Sequence, residues 1–136
     1  MKAYWHIHHD VLLEFTDNIQ ERIDYIKATK PEHEVSERLR WMTPVKGRLP
    51  ARLVKAGAAY VKAGAAYVKA RDACDGAWCA HVKARDACDK AWYAYVKARD
   101  ACDNDIEALH AKEHPDCPWT LGGQHTIFPV AVTILS

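Results

Sequence analysis

Residues 56–104 are written as consecutive heptads, and this repeat constrains the fold more than any other feature of the chain. The first and fourth positions of every heptad are Ala, from Ala56 to Ala98 and from Ala59 to Ala101. Small apolar residues that recur three and four positions apart are typical of an α-helix that packs along one seam. The repeat therefore predicts a long helix with a packing surface, and it contains no pattern typical of an active site.

The predicted seam combines the two Ala columns with large residues from the second and fifth heptad positions. Ala at the core positions lets a partner helix come close, while the aromatic residues supply buried area. The residues of this interaction seam are Ala59, Ala63, Ala66, Ala70, Ala73, Ala77, Ala80, Ala84, Ala87, Ala91, Ala94, Tyr60, Tyr67, Trp78, Trp92 and Tyr95. An isolated helix would expose these rings, so either N-terminal helices cover them or two chains pair. We expect a homo-oligomer; the identity of any partner protein stays open.

The helix-breaking residues divide the chain into segments. Residues 43–50 hold two Pro and one Gly and are predicted to be a linker, and Pro115 and Pro118 end the repeat helix. The predicted segments are an N-terminal helical region with its linker, a heptad-repeat helix and a tail, at residues 1–50, 51–113 and 114–136. The predicted fold class is all-α. It has a long Ala-rich coiled-coil-like helix, shorter N-terminal helices packed against it as a hairpin or small bundle, and an irregular tail that carries Cys and His.

Two shorter helices are predicted in the N-terminal region. The first starts near Asp10, with Asp10 or Thr16 as its cap, and stops at Pro31, because the residue before Pro avoids the α region. Its apolar face is formed at helical spacing by Phe15, Ile19, Ile23 and Ile26. A second, short helix is predicted over residues 32–41. Residues 1–9 mix β-branched, aromatic and His residues, which predicts a short strand or an extended cap.

The most specific candidate for a functional site is the segment LHAKEHPDCPW, residues 109–119. His110 and His114 lie on one helix face and Cys117 follows the helix, so the run can supply three zinc ligands. The fourth ligand is sought among the other histidines near the chain ends, which are His6, His8, His9 and His125. His is also favoured at a helix C-terminus by the helix dipole. We therefore expect no cofactor. The alternative is zinc bound by His110, His114 and Cys117, with His6 or His8 among the candidates for the fourth ligand.

Other chemistry has less support. The sequence has no Gly-rich phosphate loop, no G-x-S-x-G and no H-E-x-x-H motif, so an enzyme is not expected. Cys117 beside a His is a weak nucleophile candidate. Consecutive thiols among Cys74, Cys88 and Cys102 lie about 21 Å apart along one helix. They are interpreted as small residues at the core edge, and cross-links between two chains are the alternative.

Charge and hydropathy narrow the choice of partner and compartment. The formal net charge is +1, and Asp residues interrupt the Lys and aromatic residues of the repeat, so nucleic acid is not an expected partner. No run approaches the roughly 20 apolar residues of a membrane span. The N-terminus lacks the apolar region of a signal peptide, which favours a cytoplasmic location with reduced Cys.

Three stretches of the chain carry a resemblance to other sequences. They are MKAYWHIHHDVLLEF at the start, the Y-x-K-A type heptads in the middle, and IEALHAKEHPDCPW followed by TIFP near the end. Together they resemble a group of uncharacterised heptad-repeat-bearing bacterial, phage and metagenomic proteins. In that group the last stretch often reads H-x3-C-x2-C, with His114 of this chain at the first Cys position. His can replace Cys as a zinc ligand. The resemblance implies no activity.

Two functional hypotheses follow. The first is a non-catalytic structural or protein-interaction module that self-associates through the Ala-rich seam. The alternative is a small zinc-binding module that recognises a partner protein or a nucleic acid. The metal content of the protein separates the two.

Overall fold

A computed structural model describes residues 1–73, 78–120 and 123–128, except for the side chains of residues 78–80. The elements are β1 (Lys2–Trp5), β2 (Leu13–Thr16), α1 (Ile19–Thr29), α2 (Glu32–Trp41), α3 (Ala51–Asp72), α4 (Trp78–Ala101) and α5 (Asp103–Glu113). The prediction of a mainly helical protein is confirmed, with the addition of a small sheet. None of the helices in the described ranges combines the length and apolar character needed to cross a bilayer.

The chain forms two compact units. Unit 1 comprises residues 1–48 and 106–136, and unit 2 comprises residues 49–105. The predicted N-terminal segment and tail therefore share one unit, while most of the predicted repeat helix forms the other. The first boundary between the units lies between residues 48 and 49.

The sheet organises the start of unit 1. Strand β1 pairs antiparallel with β2, so that Trp5 lies opposite Leu13. The other edge of β1 bonds the linker: the N–H of Trp5 donates to the carbonyl of Thr43 at 2.9 Å, and the N–H of Val45 donates to Ala3 at 3.0 Å. Trp5 and Leu13 are almost fully buried as a result. The short strand that was one prediction for residues 1–9 is present.

Helix α1 begins later than predicted. Residues 13–16 were expected in the helix but form β2, because their pairing with β1 satisfies the backbone and buries apolar side chains on the sheet. The cap of α1 is Asn18, whose side chain accepts a hydrogen bond from the N–H of Glu21 at 3.3 Å, so the predicted caps Asp10 and Thr16 are wrong. The end of α1 before the proline and the bounds of α2 are as predicted.

The core of unit 1 joins β1 to α1 and α2. Its first cluster consists of Tyr4, Ile7, Ile26 and Met42, with Ile19, Ile23, Val35 and Leu39 packed against it. A second cluster joins α2 to the tail and consists of Trp41, Cys117, Trp119 and Ile127, with Leu12 and Phe128. The helical spacing of the Ile residues thus predicted the inward face of α1 correctly from Ile19 onward.

Unit 2 is an antiparallel helical hairpin of α3 and α4. Its contacts pair the start of one helix with the end of the other: Arg52 with Cys102, Tyr60 with Tyr95, and Tyr67 with His81. The prediction of one continuous repeat helix is therefore wrong, because α3 ends at Asp72 and the second half of the repeat packs on the first. Folding back buries apolar area that a single helix would expose.

The heptad positions differ in their environment within unit 2. The described first-position Ala residues are half-buried, whereas every described fourth-position Ala is exposed. The fifth position is half-buried or buried wherever it is described, from Tyr60 to Cys102. The first and fifth positions therefore form the inner face of this hairpin, and the fourth position lies on its outer surface. Ala77 and the side chains of Trp78 and Ala80 lie outside the described residues.

Candidate metal centre

His6 has an unusual backbone conformation. It directly follows β1, and its φ of 46° lies in the left-handed region that non-glycine residues rarely adopt. The backbone N–H of His6 donates to the carbonyl of Leu12 at 3.1 Å, and the side chain is 2% exposed. A residue held this way costs about 1–3 kcal/mol, and such residues cluster at functional sites. The strain therefore singles out His6 within the sheet region.

The loop between β1 and β2 sets the tautomer of His6. Its Nδ1 lies 3.0 Å from the carbonyl oxygen of Val11. A carbonyl oxygen only accepts, so Nδ1 carries the proton and Nε2 presents its lone pair. Metal-binding histidines are commonly oriented in this way by a carbonyl behind the ring. Nε2 is therefore the nitrogen of His6 that could hold a cation.

His110 from α5 and Cys117 from the tail meet the free nitrogen of His6. The Nε2 atoms of His6 and His110 are 3.2 Å apart, and the Sγ of Cys117 lies 3.4 Å from Nε2 of His6. The three ligand atoms all lie within 4.8 Å of one another, and the three residues are buried. We call this group the His6 cluster. It joins chain positions more than 100 residues apart in sequence.

The C-terminal end of helix α5 holds the helix in place. Acidic residues in its first turn and Lys112 in its last turn complement the helix dipole. The carboxylate of Glu113 accepts hydrogen bonds from the N–H groups of Lys46 at 2.6 Å and Gly47 at 3.1 Å. Burial opposes ionisation of Glu113, but these donors lower its pKa, so the carboxylate stays charged. The turn that carries His110 is thereby fixed to the linker.

The electrostatics of the His6 cluster favour neutral ligands. Burial, together with neighbouring histidines, lowers the pKa of His6 to about 3 and that of His110 to about 4. Both imidazoles are therefore neutral at neutral pH, which is the form that binds metal. Burial raises the pKa of the Cys117 thiol, so without a cation this thiol keeps its proton. A buried protonated thiol is a poor nucleophile, which counts against the nucleophile alternative.

Two of the predicted ligands lie outside the His6 cluster. The Nε2 of His114 lies 2.6 Å from the hydroxyl oxygen of Thr43, and its ring packs edge-on to Trp41. His8 is half exposed, and its Nδ1 lies 2.6 Å from the carboxylate of Glu14. The predicted run His110-x3-His114-x2-Cys117 thus supplies its first and third members to the cluster, and His6 completes it.

The two remaining histidines named as fourth-ligand candidates also have other contacts. The Nδ1 of His9 lies 2.9 Å from the hydroxyl oxygen of Thr126. The ring of His125 stacks on Trp119 with 5.5 Å between the ring centroids. Neither belongs to the group of three that can share one ion.

The aromatic residues of the predicted seam form a cluster of their own in unit 2. The ring of Tyr60 lies 5.0 Å from that of Trp92 and 5.8 Å from that of Tyr95, between centroids. The Arg99 guanidinium lies over both α4 rings, at 6.0 and 5.7 Å. Tyr95 is buried, whereas Trp92 is 40% exposed. The aromatic positions therefore both stabilise the hairpin and reach its surface.

Sequence reasoning did not single out Val11, Glu113 or Trp119. Val11 acts through its backbone carbonyl, which no side-chain pattern reveals. Glu113 stands between two histidines in the sequence, and that position was the signal that could have found it. Trp119 packs near both imidazoles, with ring centroids 6.1 Å from His6 and 5.8 Å from His110.

Comparisons of the chain with models of protein families, with curated proteins and with solved structures find no match. A function for this chain must therefore be argued from its own residues, and the His6 cluster is the most specific arrangement among those the structure describes.

Proposed function

We propose that this chain is a small non-catalytic zinc-binding module with a helical hairpin as its interaction surface. The metal joins the N-terminal sheet region to α5 and the tail. The observation that carries the proposal is the convergence of Nε2 of His6, Nε2 of His110 and Sγ of Cys117 in a buried site.

The hydrogen-bonding inventory of the His6 cluster favours a cation. The Nε2 of His6 has one lone pair, because its proton is on Nδ1 facing Val11. Two donors, the thiol of Cys117 and the Nε2–H tautomer of His110, compete for that lone pair. A divalent ion instead accepts lone pairs from all three ligands once the thiol is deprotonated. Imidazole nitrogen with thiolate sulfur is a ligand set that suits zinc.

A structural role for the metal follows from the burial of the ligands. His6 and His110 are each 2% exposed, and Cys117 packs in the cluster with Trp41 and Trp119. Because the ligands come from both ends of the chain, ion binding closes unit 1. The free energy of ion binding then becomes free energy of folding.

The direct test is the metal content of protein purified without a His tag. We expect about one zinc per chain and a lower melting temperature after chelation. His110→Ala and Cys117→Ser should remove both effects. His8→Ala and Cys88→Ser are matched controls, because His8 bonds Glu14 at the surface and Cys88 lies in the hairpin.

The metal result can reject the proposal. Less than about 0.1 zinc per chain, with no thermal response to a chelator, would leave His110 and Cys117 as an ordinary helix end and tail. Equal metal loss in the His8 or Cys88 controls would show that the wrong ligands have been named.

Self-association is a second candidate function, and the exposed apolar surface of the hairpin favours it. Alongside the fourth-position Ala column, Val54, Val68, Trp92 and Tyr93 are 40%, 42%, 40% and 73% exposed. Sedimentation over a range of concentrations should give a mass above that of one chain at high concentration. A single monomeric mass throughout would reject this candidate and leave the zinc proposal unaffected.

A further inference from the structure

The His6 cluster offers one ligand fewer than zinc normally binds. Protein zinc is almost always four-coordinate, and closed structural sites take all four ligands from the protein. The cluster has three members among the described residues. The tail positions outside the described set, 121–122 and 129–136, contain no His, Cys, Asp or Glu. A fourth protein ligand in unit 1 would therefore have to be a described residue that moves toward these three.

Two other histidines of unit 1, His114 and His9, have contacts outside the His6 cluster. His114 lies within 2.6 Å of the hydroxyl oxygen of Thr43, and its ring packs against Trp41. His9 lies within 2.9 Å of the hydroxyl oxygen of Thr126. Neither ring places a nitrogen within 4.8 Å of all three ligand atoms of the His6 cluster, so each ring would have to move to bind the ion. These contacts favour a fourth ligand of another origin.

Trp119 supplies an independent observation. Its side chain is 7% exposed, and its indole N–H is buried with no hydrogen-bond partner among the described residues. Its ring lies beside both imidazoles of the cluster. A buried donor without an acceptor is rare because it loses its hydrogen bond to water without a replacement. Because the ring lies beside both imidazoles, an acceptor bound at the metal is a candidate partner for this N–H.

The charge of the loaded site favours an anionic fourth ligand. A zinc ion with one thiolate and two neutral imidazoles carries a net charge of +1. A net charge is costly in a buried site, and a monovalent anion at the fourth position neutralises it. Zinc also lowers the pKa of a bound water to about 7, so hydroxide is one such anion at physiological pH.

We propose that the fourth zinc ligand comes from outside the chain: a water or hydroxide that a small monoanion can replace, with Trp119 donating a hydrogen bond to it. This inference rests on the proposed zinc site. It adds a ligand-exchange position to a metal that otherwise serves only to fold unit 1.

Cobalt substitution tests the inference on the full-length protein. Tetrahedral cobalt absorbs visible light, and a thiolate-to-cobalt charge-transfer band reports the bond to Cys117. Azide added to the cobalt protein should shift the visible bands saturably while the charge-transfer band persists. Trp119→Phe should keep the cobalt stoichiometry and weaken azide binding about tenfold, as expected for loss of a hydrogen bond to a charged acceptor.

A matched control is Trp41→Phe. Trp41 is also a buried indole of the same core cluster, but its N–H already donates to Glu37 at 3.2 Å. This variant should bind azide as the parent protein does. Equal weakening in both variants would assign the effect to lost packing and overturn the role of Trp119.

The other outcomes separate this inference from the proposed function. Suppose azide changes nothing, and replacing His114, His9 or His125 with Ala abolishes the tetrahedral spectrum. The fourth ligand is then a protein side chain, so the inference fails while the zinc site stands. Absence of any cobalt or zinc binding would overturn the proposed function itself.

Discussion

In unit 1 the buried residues are large and come from separate segments, whereas in unit 2 they recur at fixed heptad positions of two helices. Trp5, Leu13 and Ile26 are at most 1% exposed, and they come from three different elements, β1, β2 and α1. In unit 2 the inner face repeats Ala and a fifth-position residue such as Tyr95. The stability of the unit 1 core therefore depends on the identity of each buried residue. The stability of the repeated face of unit 2 depends on keeping the heptad phase of its two helices. The three residues of the His6 cluster belong to the unit 1 core.

The largest effect should come from deletions in the repeat, which distinguish a hairpin from one continuous helix. Removing residues 84–97 from α4 takes away Trp92 and Tyr95, which pack on Tyr60 of α3. A continuous helix would tolerate this deletion, since whole heptads preserve its phase. In a hairpin it leaves α3 without most of its partner, so we expect loss of cooperative unfolding of unit 2 in urea.

The control removes the same number of residues from both arms, 63–69 from α3 and 84–90 from α4. It keeps the contacts of Tyr60 and shortens the hairpin evenly. Far-UV circular dichroism should show a shorter but cooperatively folded hairpin. Equal tolerance of the two deletions would contradict the fold-back of the repeat.

Acid should act on unit 1 and spare unit 2. The pKa values of His6 and His110 lie at about 3 and about 4 in the folded chain, against about 6.5 in an unfolded one. The unfolded state therefore binds more protons between these values, so the stability is fully present above pH 6.5 and is lost as pH falls. Zinc release on protonation acts in the same direction.

Hydrogen exchange at a series of pH values measures this effect for each unit. Protection in β1 and α5 should fall from about pH 6.5 downward, both with zinc and after chelation. Protection in the inner part of α3 should stay nearly constant over the same range. A uniform loss in both units would mean that general charge repulsion, and not the His6 cluster, controls acid sensitivity.

Truncating one side chain in the core of unit 1 and one on the surface of the hairpin should give effects on stability of intermediate size. Ile26→Ala removes a side chain that is 1% exposed in the first core cluster, and should destabilise unit 1 by about 2–5 kcal/mol. Val68→Ala on the hairpin surface should change stability by no more than about 0.5 kcal/mol. Urea titration of both variants checks the pair. Similar losses would show that Val68 is covered, as it would be in an oligomer.

The spacing of apolar residues and the positions of helix breakers predicted those parts of the fold that depend on nearby residues in the sequence. The bounds of α2, the end of α1 before proline and the inward face from Ile19 all follow from helix-breaking residues and helical spacing. Strand β2 was mistaken for helix because its pairing partner lies elsewhere in the chain. The hairpin was missed for a related reason: Ala contributes little burial energy, so an Ala column indicates equally a solvent face and a seam.

The candidate site was predictable only where its ligands share one helix end. The spacing of His110 and Cys117 identified that end, whereas His6 was one of several distant candidates. His114, from the same run, contacts Thr43. Choosing among the histidines needed the left-handed turn at His6 and the carbonyl of Val11. Both are backbone features set by tertiary contacts, which side-chain spacing does not encode.

Leu substitutions at two Ala positions of one heptad should have small effects on stability, and only one of them should change self-association. Ala91 occupies the half-buried first position, and Ala94 the exposed fourth position. Ala91→Leu should crowd α3 and cost about 1–3 kcal/mol. Ala94→Leu should leave the monomer within about 0.5 kcal/mol of the parent. If chains self-associate through the fourth column, Ala94→Leu alone should also change the sedimentation mass, because added volume blocks close approach of a second helix. A large stability loss from Ala94→Leu with no change in mass would mean that the fourth column packs inside the hairpin, and the assignment of inner and outer faces would be reversed.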